Sequence, residues 1–259
     1  MDLHHVRRGA GEPLLLIQGM SGTHVAWGEP FLGLLATDFD LAAYDHRGIG
    51  FSPAVKEPFS IADLAADAVG LLDRLGWETA HVLGISMGGM VAQELAIAHG
   101  DRVRTLTLGC TYAGGPAGAL ADPATLQELS EAMMSGDREL ALRTGYEITV
   151  SQSFAAQEAN FGAYRDMALS VPARLRTILL QMQAIAAHDT SARLARIDRP
   201  TLVVHGTADR MLPPSNGEVI AAAIPGARLE LLEAVGHLFW WEQPERSAAL
   251  VREHALVGV

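Results

Sequence analysis

Gly84-Ile85-Ser86-Met87-Gly88 follows the apolar run Ala80-His81-Val82-Leu83 and leads into residues 89–98, where Met90, Val91, Leu95 and Ala96 have helical character. A sharp strand-to-helix turn of this kind, with small residues on either side, strains the backbone of the serine and lifts its hydroxyl above the sheet. Ser86 is therefore the candidate nucleophile. The motif fixes only three positions, so its weight depends on what the rest of the chain supplies.

Working outward, residues 14–17, 39–44, 80–85, 103–108, 201–205 and 227–232 are short apolar runs that read as buried strands, separated by helical patterns. That alternation predicts an α/β fold with a mostly parallel central sheet flanked by helices. Ile61, Leu64, Ala65, Ala68, Leu72 and Leu75 follow helical spacing, with Ser60 as N-cap, Asp63 three residues on, and Gly76 just past the end. Near the C-terminus Pro244 suits a first helical position, and Ala248, Val251 and Ala255 continue one face.

Residues 112–198 lack strand character and read as several helices, one starting near Asp122-Pro123 and another near Val171-Pro172. The expected organisation is a core of residues 1–111 and 199–259 with a helical cap inserted over 112–198. Two apolar stripes, Leu175, Ile178, Leu179, Met182 and Ile185, and Leu126, Leu129 and Met133, are expected to bury themselves, naturally against the ligand edge of the sheet.

The chain has 259 residues, 49% hydrophobic and 19% charged, which fits one α/β domain with an insertion. Its net charge of -11 offers no attraction to a phosphate backbone, so nucleic acid is not an expected partner. Lys56 is the only lysine, which leaves no other lysine for Schiff-base chemistry. Cys110 is the only cysteine, excluding an internal disulfide and a multi-cysteine zinc site. Met1 to Gly9 lack the apolar core of a signal peptide, and no run reaches the ~20 apolar residues of a membrane span, so a soluble, cytoplasmic protein is expected. His4 and His5 are adjacent and would face opposite sides of a strand, which favours a strand or tail over a metal site.

A serine hydroxyl is a weak nucleophile at neutral pH and needs a histidine to take its proton and a carboxylate to orient that histidine. Val203-Val204-His205-Gly206-Thr207-Ala208-Asp209 is a strand running into a turn, with Pro213-Pro214 beyond, so Asp209 lies at the same C-terminal sheet edge as Ser86. Among ten histidines, His237 follows Gly236 after the last strand and falls on a loop at that edge. His81 and His205 lie in or at the ends of strands and read as core or edge residues, whereas His46, His99, His188 and His254 read as surface. His24 either faces the pocket or packs its own loop. Backbone N–H groups must meet the developing oxyanion: Met87, after the nucleophile, is one, and Met20, in the Gly-rich loop Gln18-Gly19-Met20-Ser21-Gly22, is the other. That loop carries neither nucleotide-binding glycine motif.

With Ser86, Asp209 and His237 in this chain order, the sequence resembles the α/β-hydrolase fold superfamily over nearly its whole length. Asp45-His46-Arg47-Gly48-Ile49-Gly50-Phe51-Ser52, Gly206-Thr207-Ala208-Asp209 and Gly236-His237 leading to Glu242-Gln243-Pro244-Glu245 add to the likeness. Asp45 and Arg47 are expected to organise a loop. The Gly-Ile-Ser-Met-Gly-Gly form is similar to the branch of 3-oxoadipate enol-lactonases, small esterases and cofactor-free bromoperoxidase-like proteins. One departure is Gln18-Gly19, where members commonly carry His-Gly. The resemblance implies the α/β-hydrolase fold and a serine hydrolase that needs no cofactor or metal. Its substrate would be a small-to-medium, largely hydrophobic ester or lactone, with perhydrolysis as a side activity and no membrane partner. The pocket would draw on His24, Met133, Met134, Phe154, Phe161, Tyr164, Met167, Phe239, Trp240 and Trp241. C–C bond hydrolysis, a lyase step or ligand binding without catalysis are the alternatives on the same fold.

Overall fold

A computed structural model of the protein describes residues 1–116, 118–171 and 174–257. Seven strands, β1 (His5–Arg8), β2 (Glu12–Ile17), β3 (Phe39–Tyr44), β4 (Ala80–Ile85), β5 (Val103–Gly109), β6 (Thr201–Gly206) and β7 (Arg228–Leu232), form one sheet in the order β1-β3-β2-β4-β5-β6-β7. All pairings are parallel except β1 with β3, where His5 faces Tyr44 and Arg8 faces Leu41. The six expected strands stand within two residues of their expected ends, and the N-terminal segment read as strand or tail supplies the antiparallel edge.

The helices of the core are α1 (Glu29–Leu35), α2 (Ile61–Leu75) and α3 (Met87–Ala98), and the chain between β5 and β6 adds α4 (Pro123–Met134), α5 (Arg138–Thr149), α6 (Gln152–Ala155), α7 (Glu158–Ser170) and α8 (Leu175–Ala186). After β6 come α9 (Ser215–Ala223), α10 (Phe239–Glu242) and α11 (Pro244–Val257). Strand alternation sends side chains to opposite faces, so Leu15 and Ile17 join a core with α2, α3 and α9, while Leu14 and Leu16 join one with α1, α10 and α11. None of the described helices is long and apolar enough to cross a membrane.

Local chemistry explains the boundaries. Ser60 Oγ accepts from Asp63 N at 3.1 Å while the Asp63 carboxylate accepts from Ser60 N at 2.8 Å, a reciprocal cap that starts α2, and Gly76 ends it at φ 73°. Helix α3 is buried on nearly every side, which is why its sequence is apolar all round rather than striped. Its first turn lies against β2: a Cβ on Gly88 would come 2.1 Å from the Ile17 carbonyl oxygen.

The helices between β5 and β6 correct two expectations. On α4 the buried residues are Thr125 and Ala132, while Leu126 and Met133 are 45% and 60% exposed. On α8 the expected stripe points largely outward, with Leu175, Leu179 and Met182 exposed, and the buried face is Thr177, Leu180, Gln181 and Ala184. The reason is polar: Thr177 Oγ1 donates to Gly48 O at 3.2 Å and Gln181 Oε1 accepts from Ser21 N at 2.9 Å, so two core loops select polar residues for the inner face. Of the helix start expected near Val171-Pro172, Pro172 lies outside the described residues. Helices α5 to α7 close their own small core of Tyr146, Val150 and Phe161, with Phe154, Tyr164 and Leu238 against it.

The α3–β2 approach carries a test. Gly88→Ala should lower stability by about 1–3 kcal/mol, the cost of overpacking a closed contact. Thermal or urea unfolding measures it, and an unchanged midpoint would mean that the first turn of α3 is not seated on β2 as described.

Candidate active site

Ser86 joins β4 to α3 at φ 54° and ψ -124°, a region that residues with a Cβ rarely occupy. Four hydrogen bonds hold it there. Its N–H donates to Gly109 O at 2.9 Å, and its carbonyl accepts from Gly89 N at 2.9 Å, Met90 N at 3.3 Å and Thr111 Oγ1 at 2.7 Å. The residues on either side, Ile85 and Met87, are buried, while Ser86 itself is only partly so.

The loop after β2 passes directly over this turn. A Cβ on Gly19 would lie 3.0 Å from Ser86 Cβ and 3.5 Å from its Oγ, so any larger residue would have to push the loop or the serine aside by a few tenths of an ångström. Gly19 N donates to Gln18 Oε1 at 2.9 Å, Ser21 N to Gln181 Oε1 at 2.9 Å, and Gly22 N to Gly19 O at 3.2 Å. His46 Nε2 donates to Gln18 O at 2.9 Å. Met20 N makes no hydrogen bond among the described residues. Met87 occupies the first position of α3, where the helix itself gives an N–H no partner. At the departure noted above, Gln18 folds its carboxamide back on Gly19 instead of extending it.

Asp209 sits on the turn after β6, 6% exposed. Its Oδ1 accepts from Met211 N at 2.8 Å and Leu212 N at 2.9 Å, and its Oδ2 from His237 Nδ1 at 2.7 Å. Burial alone would raise its pKa. The facing His237, with hydrogen bonds from His205 and His237, outweighs burial and holds the carboxyl well below its usual 3.8. His237 follows β7 on a loop tethered at both sides: Gly236 N donates to Glu242 Oε1 at 2.8 Å, and Leu238 N to Thr149 O at 3.0 Å. Glu242 also accepts from Ser151 N at 3.0 Å and from Ser151 Oγ, tying this loop to the α5–α6 junction.

Ser86, Asp209 and His237 therefore follow β4, β6 and β7 at one edge of the sheet, and Asp209 and His237 are hydrogen-bonded. The expected pocket residues divide differently. His24 Nδ1 lies 2.9 Å from Asp45 Oδ1, and its ring packs on His4 and Phe51, which gives it the loop-packing role. Met133 and Met134 are 60% and 76% exposed on α4 and enclose nothing. Phe239 is 1% exposed within the core beneath the sheet, its ring filling the space beside Gly109. Phe154 and Tyr164 belong to the small core that Leu238 joins, next to His237. Both Trp240 and Trp241 spend their indole N–H on Ala26 O.

Two histidines expected at the surface are buried: His46, bound to Gln18, is 1% exposed, and His188, 7% exposed, is lowered to about 4 by burial. The residues that composition and spacing did not single out are His205, whose Nε2 lies 3.3 Å from Asp209 Oδ2, and Gln181. A signal existed for the first, since His205 and Asp209 bracket one tight turn; Gln181 reads as an ordinary polar helix residue.

Two clusters each bring three potential ligand atoms within 4.8 Å of one another: His4, His24 and Asp45, and Cys110, Asp209 and His237. In the first, Asp45 Oδ1 is engaged by His24 N and Nδ1, and its Oδ2 by Phe51 N. In the second, the thiol of Cys110 is pushed well above its usual 9.0 by burial and by the neighbouring Asp209, which disfavours the thiolate that a metal requires.

Comparison with known proteins matches residues 12–244 to the family model described as the alpha/beta hydrolase fold. The RutD protein of Azorhizobium caulinodans, named for carbamate hydrolysis, is 31% identical over 241 residues, spanning 92% of this chain and 89% of the relative. The 2-hydroxy-6-oxononadienedioate/2-hydroxy-6-oxononatrienedioate hydrolase 2 of Pseudomonas putida is 30% identical over 261 residues, spanning 97% and 90%. Among solved structures, the enol-lactonase of Burkholderia xenovorans LB400 superposes with a TM-score of 0.84 at 26% identity, over 97% of this chain and 95% of that one.

The depressed Asp209 carboxyl predicts a pH dependence of stability. A folded value below the unfolded one stabilises the fold above pH 3.8, and that contribution is lost as pH falls from there towards the folded value. Asp209→Asn should flatten the acid limb of unfolding free energy against pH below about 4. An acid limb identical to that of the parent protein would remove Asp209 as its source.

Proposed function

The chain belongs to the alpha/beta hydrolase fold family, and on that footing we propose that it is a serine hydrolase of small-to-medium, largely hydrophobic carboxylic esters or lactones. The observation that carries this reading is the strained Ser86 turn set at the same sheet edge as an ionised Asp209 bonded to His237 at 2.7 Å. In this reading the Ser86 hydroxyl attacks the substrate carbonyl carbon as His237 takes its proton at Nε2. The oxyanion of the tetrahedral intermediate accepts from Met20 N–H and Met87 N–H. His237 returns the proton to the departing alkoxide, leaving an acyl-Ser86 ester. Water then attacks the acyl carbon by the same route, releasing the acid and restoring the serine. Asp209 holds the Nδ1–H tautomer of His237 and offsets the charge of the imidazolium.

Residues 112–198 act in this proposal as a cap over a core of residues 1–111 and 199–259. The Thr177 and Gln181 bonds support that role, because they seat α8 on the loop after β3 and on the loop after β2 that passes over Ser86. Leu238, Phe154 and Tyr164 give the approach to His237 an apolar wall. A second reading keeps the serine and changes the bond cleaved, to a carbamate or to a C–C bond beside a carbonyl; the named activities of the two relatives favour it.

The test is turnover of the purified protein on a panel of esters, lactones, carbamates and diketones, with Ser86→Ala and Asp209→Asn beside it. Ester or lactone turnover should fall roughly a millionfold in Ser86→Ala and ~ten-thousandfold in Asp209→Asn. Turnover retained by Ser86→Ala would end the reading. Preferred turnover of carbamates or diketones, lost in the same variants, would transfer it to the second.

A further inference from the structure

We propose that His205 is a positioning residue for the site: it clamps the Asp209 carboxylate through the same oxygen that His237 uses, and thereby fixes the orientation of His237 towards Ser86. The inference rests on the assignment of Ser86, His237 and Asp209 given above.

His205 is wholly buried at the penultimate position of β6. Its Nε2 lies 2.8 Å from Leu212 O and 3.3 Å from Asp209 Oδ2. A carbonyl oxygen only accepts, so Nε2 carries the proton and donates it to Leu212 O, and the Asp209 carboxylate oxygen lies 3.3 Å from the same nitrogen, within reach of its positive edge. The other nitrogen, Nδ1, is buried with no partner among the described residues. An unsatisfied ring nitrogen destabilises the fold, and an aliphatic residue such as the neighbouring Val203 or Val204 would fill the position without it. What an imidazole offers here that an aliphatic side chain does not is Nε2, which reaches both Leu212 O and Asp209 Oδ2.

What Nε2 does is complete a cage. Asp209 Oδ1 accepts from Met211 N and Leu212 N, Oδ2 accepts from His237 Nδ1, and His205 Nε2 stands 3.3 Å from Oδ2 on its other side. Held by three hydrogen bonds and the flanking imidazole, the carboxylate is fixed in orientation, and the ring of His237 inherits it. The ring of His205 lies directly against α9: a Cβ on Gly217 would come 2.9 Å from His205 Nδ1. The remaining titratable neighbours are Cys110 from the end of β5, which faces Asp209 as a neutral thiol, and Glu242 from α10, whose charge acts on Cys110.

If the His205 donor is lost, Oδ2 turns its full basicity on His237 and the carboxylate gains freedom. The imidazolium is then held more tightly, and the acid limb of kcat/KM moves to higher pH. His205→Leu should lower kcat roughly ten- to hundredfold with KM nearly unchanged, and His205→Gln, whose amide can donate, should restore most of kcat and return the acid limb. In an Asp209→Asn background His205→Leu should cost almost nothing further, because its effect passes through the carboxylate. Should His205→Leu fail to fold by thermal melting, His205→Asn, whose amide falls short of Oδ2, takes its place against His205→Gln.

Equal impairment of the Leu and Gln variants with an unmoved acid limb would reduce His205 to packing and overturn the proposal. So would a penalty that adds in full to Asp209→Asn. Ser86→Ala and Asp209→Asn, assayed alongside, separate the two levels: if both are inactive while His205→Leu behaves as the parent, this inference alone fails. If both retain turnover, the assignment beneath it fails as well.

Discussion

The backbone of Ser86, held at φ 54°, is the constraint around which the sheet edge is organised. A conformation of this kind costs about 1–3 kcal/mol and persists only where its surroundings over-determine it. Here β5 and the first turn of α3 supply that, through Gly109, Gly89, Met90 and Thr111. The same constraint dictates composition. Gly88 lets the helix approach β2, and Gly19 lets the loop after β2 pass over the hydroxyl. Strained backbone, missing side chains and free N–H groups are therefore aspects of one arrangement.

Polar contacts carry the constraint outward. Gln181 reaches from α8 to the loop that carries Met20, Thr177 from α8 to Gly48, and Glu242 from α10 to Gly236 and Ser151. The first joins α8 to the loop over Ser86, the second joins it to the loop after β3, and the third ties the His237 loop to the α5–α6 junction. These contacts are directional and reject a substituted partner, whereas apolar packing tolerates exchange. Hydrogen bonding thus sets which way α8 faces, with Thr177 and Gln181 turned inward beside Leu180 and Ala184 and the larger apolar residues Leu175, Leu179 and Met182 left outside.

The sheet was legible in the sequence because buried parallel strands are continuous apolar runs, and the elbow because its glycines answer to sterics that act over five residues. Asp209 and His237 could be placed at the shared edge from their positions after strands, a property of topology. The orientation of α4 and α8 was not legible. An apolar stripe predicts burial only where nothing polar competes, and on α8 the competing partners, Ser21 and Gly48, lie more than a hundred residues away in the chain. Phe239 was misplaced for a related reason: a residue two positions from His237 falls near the site in sequence, yet a single helical turn sends its ring beneath the sheet. His205 was read as a core residue, and it is buried; what the sequence could not supply was that its Nε2 stands 2.8 Å from Leu212 O and 3.3 Å from Asp209 Oδ2.

The central claim is that the turn at Ser86 makes its hydroxyl a nucleophile served by His237. Incubation of the folded protein with a fluorophosphonate, followed by intact-mass measurement and peptide mapping, tests it most directly. The account predicts a single adduct on Ser86, absent after heat denaturation and absent in His237→Ala. Folded protein that stays unmodified, or an adduct mapped to another residue, would contradict it.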